Sequence, residues 1–586
     1  MIKANLIISN KRSRLYRQRA ALFFGIMLCA VTVSGQTNYY VSSTGNNSNS
    51  GIQTLPWLTI QAGLNKLKAG DTLNIMNGTY NEKLKFPISG ITLRNCLNNN
   101  PVIDATDITS QVPVIEITDV SNAIVQGLEI RNNIMLDAQG ILVTGNCQNI
   151  TIKNCKIHDI HFSSNVSAAV NENTNAQGII VYGTNATTAI SNLKITNNQL
   201  YNCRLGYSEG IAVNGNVSGF EVSGNTVHDL TNIGIDIIGF EGTCSNAAND
   251  QARNGVVRNN LIHHCVSTYA TSGGLYVDGG KNIILENNTS YHNGYGIEVG
   301  CENVGKATDL ITVRNNVFYD NEVCALALGG WDYPKSGKVT NSTFRNNTCY
   351  FDDYSKSGNG EIYLSYSENS IIENNIFFTT TENTLAYAEL SQPSLTFNYN
   401  LIYCSAGADN LSVDWNKKSY SGYAAFVTGT GLNVNSKFGN PPFVNATISN
   451  PDFHIQSSSP AINAGNPAFL PAPEEVDMDN QNRKSGIIDC GADEYYVING
   501  ISENTVSENQ LTAFPNPASY NITIKSSGLN LIKMVVYDSM GKQIRNYSVE
   551  KLQKQIDVSA FHQGLYYLVG FDTFMKPVAT QKLIIK

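Results

Sequence analysis

The chain has 586 residues, with 39 Lys and Arg against 47 Asp and Glu and a net charge of −8. That length exceeds one ordinary compact domain but suits an elongated repeat array. The excess of acids argues against a nucleic-acid-binding surface, and 48 Gly with only 15% charged residues suit a chain of many turns rather than many helices.

In chain order, the first element is a leader. Lys3, Lys11, Arg12, Arg14, Arg17 and Arg19 precede the apolar run AALFFGIMLCAVTVSG. This predicts a signal peptide over 1–36, because the run is shorter than the ~20 residues a membrane span needs. Met27 and Leu28 before Cys29 are bulkier than a lipidation site requires. The leader takes six of the 39 basic residues and none of the 47 acidic ones, so the mature chain stands near −14. It is expected to be a monomer with no transmembrane segment.

A repeat fills the next 400 residues. One signature is apolar, polar, Asn-Asn and then alternating apolar residues: ITNNQLYN (195–202), VRNNLIHH (257–264), LENNTSYH (285–292), VRNNVFYD (313–320), FRNNTCYF (344–351) and IENNIFFT (372–379). A second signature, Gly-apolar-x-apolar, precedes it: GIIV (178–181), GIAV (210–213), GIDI (234–237), GLYV (274–277) and GIEV (296–299). Alternation with period two predicts strands. Strand and turn recurring at this spacing predict a right-handed parallel β-helix, each coil giving about three short strands. The repeated Asn is expected to form a hydrogen-bonded ladder. The column His158, Tyr201, His228, His263, Tyr291, Tyr319 and Tyr350 is expected to stack. Cys155, Cys203 and Cys265 are expected at equivalent buried positions, with no zinc spacing among the cysteines.

The segment YYVSSTGNNSNSGIQTLPWLTIQAGLNKLKAGDTLNIMNGTY (39–80) resembles the opening of bacterial pectin-lyase-like β-helix proteins, where a strand, a loop and a short capping helix start the solenoid. The resemblance spans roughly 37–495 and implies a fold, since lyases, hydrolases and binding proteins share it. SSPAINAGN (458–466) and DMDNQNRKSGIIDCGADEY (477–495) resemble the terminal element called choice-of-anchor Q, here expected to cover the open end of the solenoid. AFPNPASYNITIKSS, MVVYDSMGKQI, IDVSAFHQGLYYLVG and QKLIIK resemble the C-terminal sorting domain of type IX secretion. That implies partnership with the secretion machinery and passage through periplasm and outer membrane to the cell surface or medium. The expected order is signal peptide 1–36, β-helix 37–457, terminal element 458–495, linker 496–510 and a small β-sandwich sorting domain 511–586. The fold class is all-β.

Subtracting the repeat frame leaves a candidate site. The outward column of the Gly-apolar-x-apolar strands reads Leu142, Ile180, Ala212, Asp236, Tyr276, Glu298, Ala327, and the next reads Asn214, Ile238, Asp278, Gly300, Gly329. Acids and an aromatic gather on three adjacent coils. Coils stack ~4.8 Å apart and same-face neighbours lie ~6.8 Å apart, so Asp278 and Glu298 stand roughly 8 Å apart. The insert 239–255 is expected to wall a cleft. Tyr276, Trp331, Tyr333 and Glu209 are candidate substrate contacts for a polysaccharide. In a lyase acting by β-elimination on a uronate glycan, Asp236, Asp278 and Glu298 would hold calcium, with Lys281 or Arg253 as the base. In an inverting glycoside hydrolase, Asp278 and Glu298 would be the acid and base. A non-catalytic glycan-binding or adhesin solenoid is the third reading. The lyase leads on the fold's usual associates, while the acidic charge favours the hydrolase.

Overall fold

The computed structural model describes residues 37–496 except 111, and 510–586 except 528–530, 539–541, 549–552 and 572–576. The leader lies outside the described residues, as does most of the expected linker. Residues up to Tyr496 form one compact unit and those from Val497 another.

The first unit is a parallel β-helix. Three long sheets run along it, and each coil gives one strand to each. One coil shows the pattern: Tyr295–Gly300 joins the second sheet, Ala307–Arg314 the first and Val317–Tyr319 the third. Each apolar position pairs with its equivalent in the next coil, as Ile235, Leu275, Ile297 and Leu326 do. These side chains, with Val299, Ile311, Val313 and Phe318, are fully buried in one continuous core.

The Asn-Asn pair does two jobs. Its first member, at 259, 287, 315, 346 and 374, turns the corner between the first and third sheets at a φ of 54–59°, a region that Asn tolerates better than most residues. Its second member points inward. Asn198, Asn225, Asn260, Asn288, Asn316, Asn347, Asn375 and Asn400 stack in a buried ladder, in which each Oδ1 accepts the backbone N–H and Nδ2–H of the preceding ladder residue at 2.9–3.1 Å. The aromatic column stacks as expected, with ring centroids 4.6–5.3 Å apart from His158 to Tyr319. All eleven described cysteines are free and ten are buried. Cys203 and Cys265 flank Leu230 in one column, but Cys155 stands instead at the head of the asparagine ladder, its N–H donated to Asn198.

Both ends are covered by short helices. α1 (Ile60–Leu64) buries Ile60 and Leu64 beside Trp57. At the other end α2 (Tyr423–Thr430) buries Phe426 against Phe397 and Trp415. The terminal element 458–495 therefore does not close the solenoid. It lies along its side, across the corner that the first asparagines build. Asn287, Asn315 and Asn346 donate Nδ2–H to the carbonyls of Asp477, Val476 and Asp489, and Asn374 accepts from the Asn466 N–H. Buried Glu475 takes Arg314 at 2.9 Å and Arg345 at 2.8 Å. Val317, Tyr319, Tyr350 and Leu401 pack beneath Phe443, Phe453 and Cys490. Polar and apolar faces of the coils both find partners there, which an end cap would not supply.

The second unit has a three-stranded antiparallel sheet (Gln510–Phe514, Asn521–Ser527, Gln553–Asp557) and a four-stranded one (Gln543–Ser548, Lys533–Asp538, Gly564–Phe571, Pro577–Ile585). Leu511, Ile522, Ile524, Met534, Val536, Leu568 and Leu583 form their shared core. This is the small β-sandwich expected.

Candidate functional site

The outward face of the second sheet carries a groove of about 1000 Å³. Its floor is the column read from the sequence. Strand register aligns Ile180, Ala212, Asp236, Tyr276, Glu298, Ala327, Tyr363 and Tyr387 on successive coils. From Gln139 to Tyr387 it crosses nine coils, about 38 Å at the usual strand spacing. Residues that precede the floor strands form one wall, among them Tyr207, Glu209 and Thr271. Residues that follow them form the other, including Glu302 and Trp331. The insert after Ile238 joins that second wall through Glu241 and Thr243, as expected. Asp250 shapes the insert by accepting the Gly242 N–H at 2.6 Å and the Cys244 N–H at 2.8 Å, and Asn303 Nδ2 donates to Glu241 at 2.6 Å.

Six carboxylates gather in the middle of the groove: Glu209, Asp236, Glu241, Asp278, Glu298 and Glu302. Among the described residues that line it there is no Lys, Arg or His. Asp236, 3% exposed, has an Oδ1 with no hydrogen-bond partner. Asp278, 4% exposed, accepts the Glu302 N–H at 2.8 Å. Tyr276 Oη donates to Glu302 at 3.3 Å. Burial, then the Glu209 and Asp278 carboxylates, push Asp236 well above the usual carboxylate range. Burial and Glu302 raise Asp278, with the Glu302 N–H working against them. Burial and then Glu302 push Glu298 up to about 8. Burial also carries Glu209 to about 8, with Glu302 and Glu241 adding to it. Burial first, and then the like charge of the neighbouring carboxylates, keep protons on Glu209 and Glu298 at neutral pH.

Of the residues singled out in the sequence, the structure brings together Asp236, Tyr276, Asp278, Glu298, Glu209 and the 59%-exposed Trp331. It sets three apart. Gly279, at a φ of 73°, turns the chain off the second sheet, so Lys281 begins a strand of the first sheet and pairs with Asp309 at 3.0 Å. Arg253 is its register partner there and binds Asn216 Oδ1 and the Gln251 carbonyl. Neither lines the groove, which corrects their assignment as bases. Tyr333 stacks on Tyr366 at 3.8 Å instead of facing a ligand.

Asp236, Asp278 and Glu298, the expected calcium ligands, all line the groove. Among the described residues, the trio of His, Cys, Asp or Glu whose ligand atoms fall within 4.8 Å of one another is His454, Asp479 and Asp493. Asp236, Asp278 and Glu298 do not converge that closely, so we derive no step through a metal at that trio. Sequence reasoning missed Glu241 and Glu302, because loop residues follow no strand register. It also missed Gln139 and Gln177 as lining groups, and it placed Asn214 on the outward column without giving it a role. All three are buried with an unpartnered side-chain oxygen. Gln177 donates Nε2–H to Ser208 Oγ at 2.9 Å, which leaves its Oε1 as the free acceptor.

The raised carboxyls set a pH dependence. The folded chain keeps protons on Glu209, Glu298 and Asp352, the last raised to about 7 by burial. The unfolded chain releases them above pH ~4. Stability therefore falls as pH rises from about 4.5 toward 8. The melting temperature is expected to be several degrees lower at pH 8 than at pH 5, measured by calorimetry in matched salt.

Two protein families match the chain. "Right handed beta helix region" matches residues 239–359 and "Secretion system C-terminal sorting domain" matches 512–586. The sorting domain marks the protein for secretion or the cell surface, and no helix among the described residues is long and apolar enough to cross a membrane. Among solved structures, the chain is similar to pectate lyase Pel9A, with 16% identity, 79% of this chain and 98% of that one covered, and a TM-score of 0.41. It is also similar to the GH136 lacto-N-biosidase from Eubacterium ramulus, with 14% identity, 63% and 64% covered, and a TM-score of 0.39. It is 33% identical over 443 residues to "Uncharacterized protein YwoF" of Bacillus subtilis (strain 168), covering 72% of this chain and 91% of that protein. The chain belongs to the family of that Bacillus protein.

Proposed function

We propose that this protein is a secreted or surface glycoside hydrolase acting on a neutral or amino-bearing polysaccharide. The observation that carries the reading is the cluster of six carboxylates in the middle of a groove with no lining Lys, Arg or His among the described residues. A long uronate chain would find no cation among those side chains to pair with its carboxylates. Hydroxyl or ammonium donors suit the free oxygens of Asp236, Gln139, Gln177 and Asn214.

Glu298 is the general acid. Its carboxyl keeps a proton at neutral pH, ready for the glycosidic oxygen as the bond to the leaving sugar breaks. Asp278 is the general base. It acts in its ionised form, which the Glu302 N–H favours while burial and the Glu302 carboxylate oppose it, so its capacity to take a proton from the attacking water grows as pH rises. One coil and two residues separate the pair, about 8 Å by strand geometry, which suits inversion with a water between. Asp236, one coil before Tyr276 in the same column, offers its unpartnered Oδ1 as an acceptor for a sugar hydroxyl. Tyr363, Tyr387 and Trp331 offer flat faces to sugar units farther along.

Incubating the secreted protein with a panel of neutral, amino and uronate glycans tests this. Reducing ends are expected from a neutral or amino glycan, with inverted configuration at the new anomeric carbon. Ultraviolet-absorbing unsaturated uronate products would replace the reading with the lyase. Binding on a glycan array without any cleavage would leave the adhesin.

A further inference from the structure

Away from the groove, the third sheet carries a second feature that the repeat frame does not explain. The residue after each strand's aromatic position adopts a left-handed turn, with φ of 52–55° at Asp159, Asn202, Asp229, His264, His292 and Asp320. Asn and Asp are the usual occupants of such a turn. Two successive coils place histidine there instead, with an aspartate on the coil before and the coil after.

The neighbouring ring column stacks face to face, so packing accounts for it. His264 and His292 do not stack. Their rings meet at 70°, and His264 Nε2 lies 3.2 Å from His292 Nδ1. His292 Nε2 stands 2.8 Å from Asp320 Oδ2. His264 Nδ1 stands 2.8 Å from His263 Nδ1. One set of neutral tautomers satisfies both ring-to-ring contacts. A proton on His292 Nε2 faces Asp320, which leaves the Nδ1 lone pair turned toward His264. Burial and the neighbouring His292 hold His264 below the usual histidine range, so the neutral ring is the resting form. His264 is exposed to solvent.

We propose that His264 Nε2 and His292 Nδ1 chelate a divalent transition metal of the zinc or copper class. Nitrogens on one tetrahedral zinc, with bonds of 2.0–2.1 Å, stand about 3.3 Å apart. The observed 3.2 Å already has that spacing. Asp320 Oδ2 lies 2.8 Å from the far nitrogen of His292, which has no aligned hydrogen-bond partner, so a small rotation of the ring gives the arrangement by which a carboxylate orients a metal-bound imidazole. On binding, the metal takes the place of the proton between the two rings. His264 then carries its proton on Nδ1, and His263 shifts its own to Nε2. No proton is lost. Water completes the coordination on the open side.

Calorimetric titration of the chelator-stripped full chain with zinc alone tests the site. One zinc per chain is expected, with copper(II) tighter, following the usual metal order, and calcium silent. His264→Gln and His292→Gln should each weaken binding by about 10-fold or more, while Asp320→Asn, which keeps both imidazoles, should weaken it by about 10-fold. His454→Gln, at the other cluster of potential ligands, should leave affinity unchanged. Circular dichroism of each variant checks that the solenoid is intact. Absence of zinc binding in the wild type would overturn the proposal. So would binding that survives both histidine substitutions, or binding that His454→Gln removes.

Discussion

Glu298→Gln is expected to lower kcat/KM on the cleaved glycan by about 10³-fold, within the span assigned to a lost general acid, and to raise the melting temperature at pH 7. The two effects share a cause. Burial and the nearby Glu302 hold the Glu298 carboxyl up to about 8, so folding at neutral pH takes up a proton that the unfolded chain would release. Glutamine has no such proton to recover and fits the same space. Glu298 is partly open to the groove, so solvent screening reduces the gain to about 1 kcal/mol. That gain should shrink as pH falls toward 5 and vanish only below about pH 4, where the wild-type carboxyl is protonated in both states. A denaturation series from pH 5 to pH 8, beside steady-state kinetics, reads both halves. A variant that keeps full activity removes Glu298 from the chemistry. A variant that loses activity and stability together makes Glu298 a structural residue.

That coupling also explains what the sequence could reveal. The repeat frame is legible because every coil repeats one backbone path, so a residue's facing follows from its position in Gly-apolar-x-apolar. Asp236, Tyr276 and Glu298 could be placed on one column before any coordinates, and their strands do pair in that register. Legibility ends at the corners. Asp278 and Lys281 are three residues apart, yet the turn at Gly279 sends them to different sheets. Glu241 and Glu302 reach the groove from loops whose course depends on side-chain contacts, such as that of Asn303 with Glu241. The terminal element was misplaced for the same reason. Its partners are Arg314, Arg345 and the corner asparagines, 92 to 190 residues away in the chain, and no local pattern announces them. The absence of lining cations is a property of the assembled wall, and it reversed the order of the lyase and hydrolase readings.

Asn316→Ala should be the most destabilising single change in the solenoid outside its apolar core, by about 3–5 kcal/mol, from several buried groups left unpaired at roughly 1–3 kcal/mol each. Asn316 is fully buried at the centre of the ladder. Its Oδ1 accepts both the N–H and the Nδ2–H of Asn288, and its Nδ2 donates to the Leu285 carbonyl and to Asn347. Alanine leaves the Asn288 amide and the Leu285 carbonyl without partners, in an interior that water does not reach. The neighbouring Asn315 offers the contrast. It is also buried, but its side chain faces the terminal element and donates to the Val476 carbonyl, so Asn315→Gly keeps the left-handed turn and loses one hydrogen bond. Urea denaturation of the two variants should therefore separate them by more than 2 kcal/mol, roughly the difference between several orphaned groups and one. Equal losses would mean that the corner conformation, and not the interior ladder, is what the paired asparagines are there to supply. The ladder also runs behind the coils that build the acidic groove, because Asn288 and Asn316 bracket the strand that carries Glu298. Limited proteolysis of Asn316→Ala should accordingly cut first on the coils that build the acidic groove.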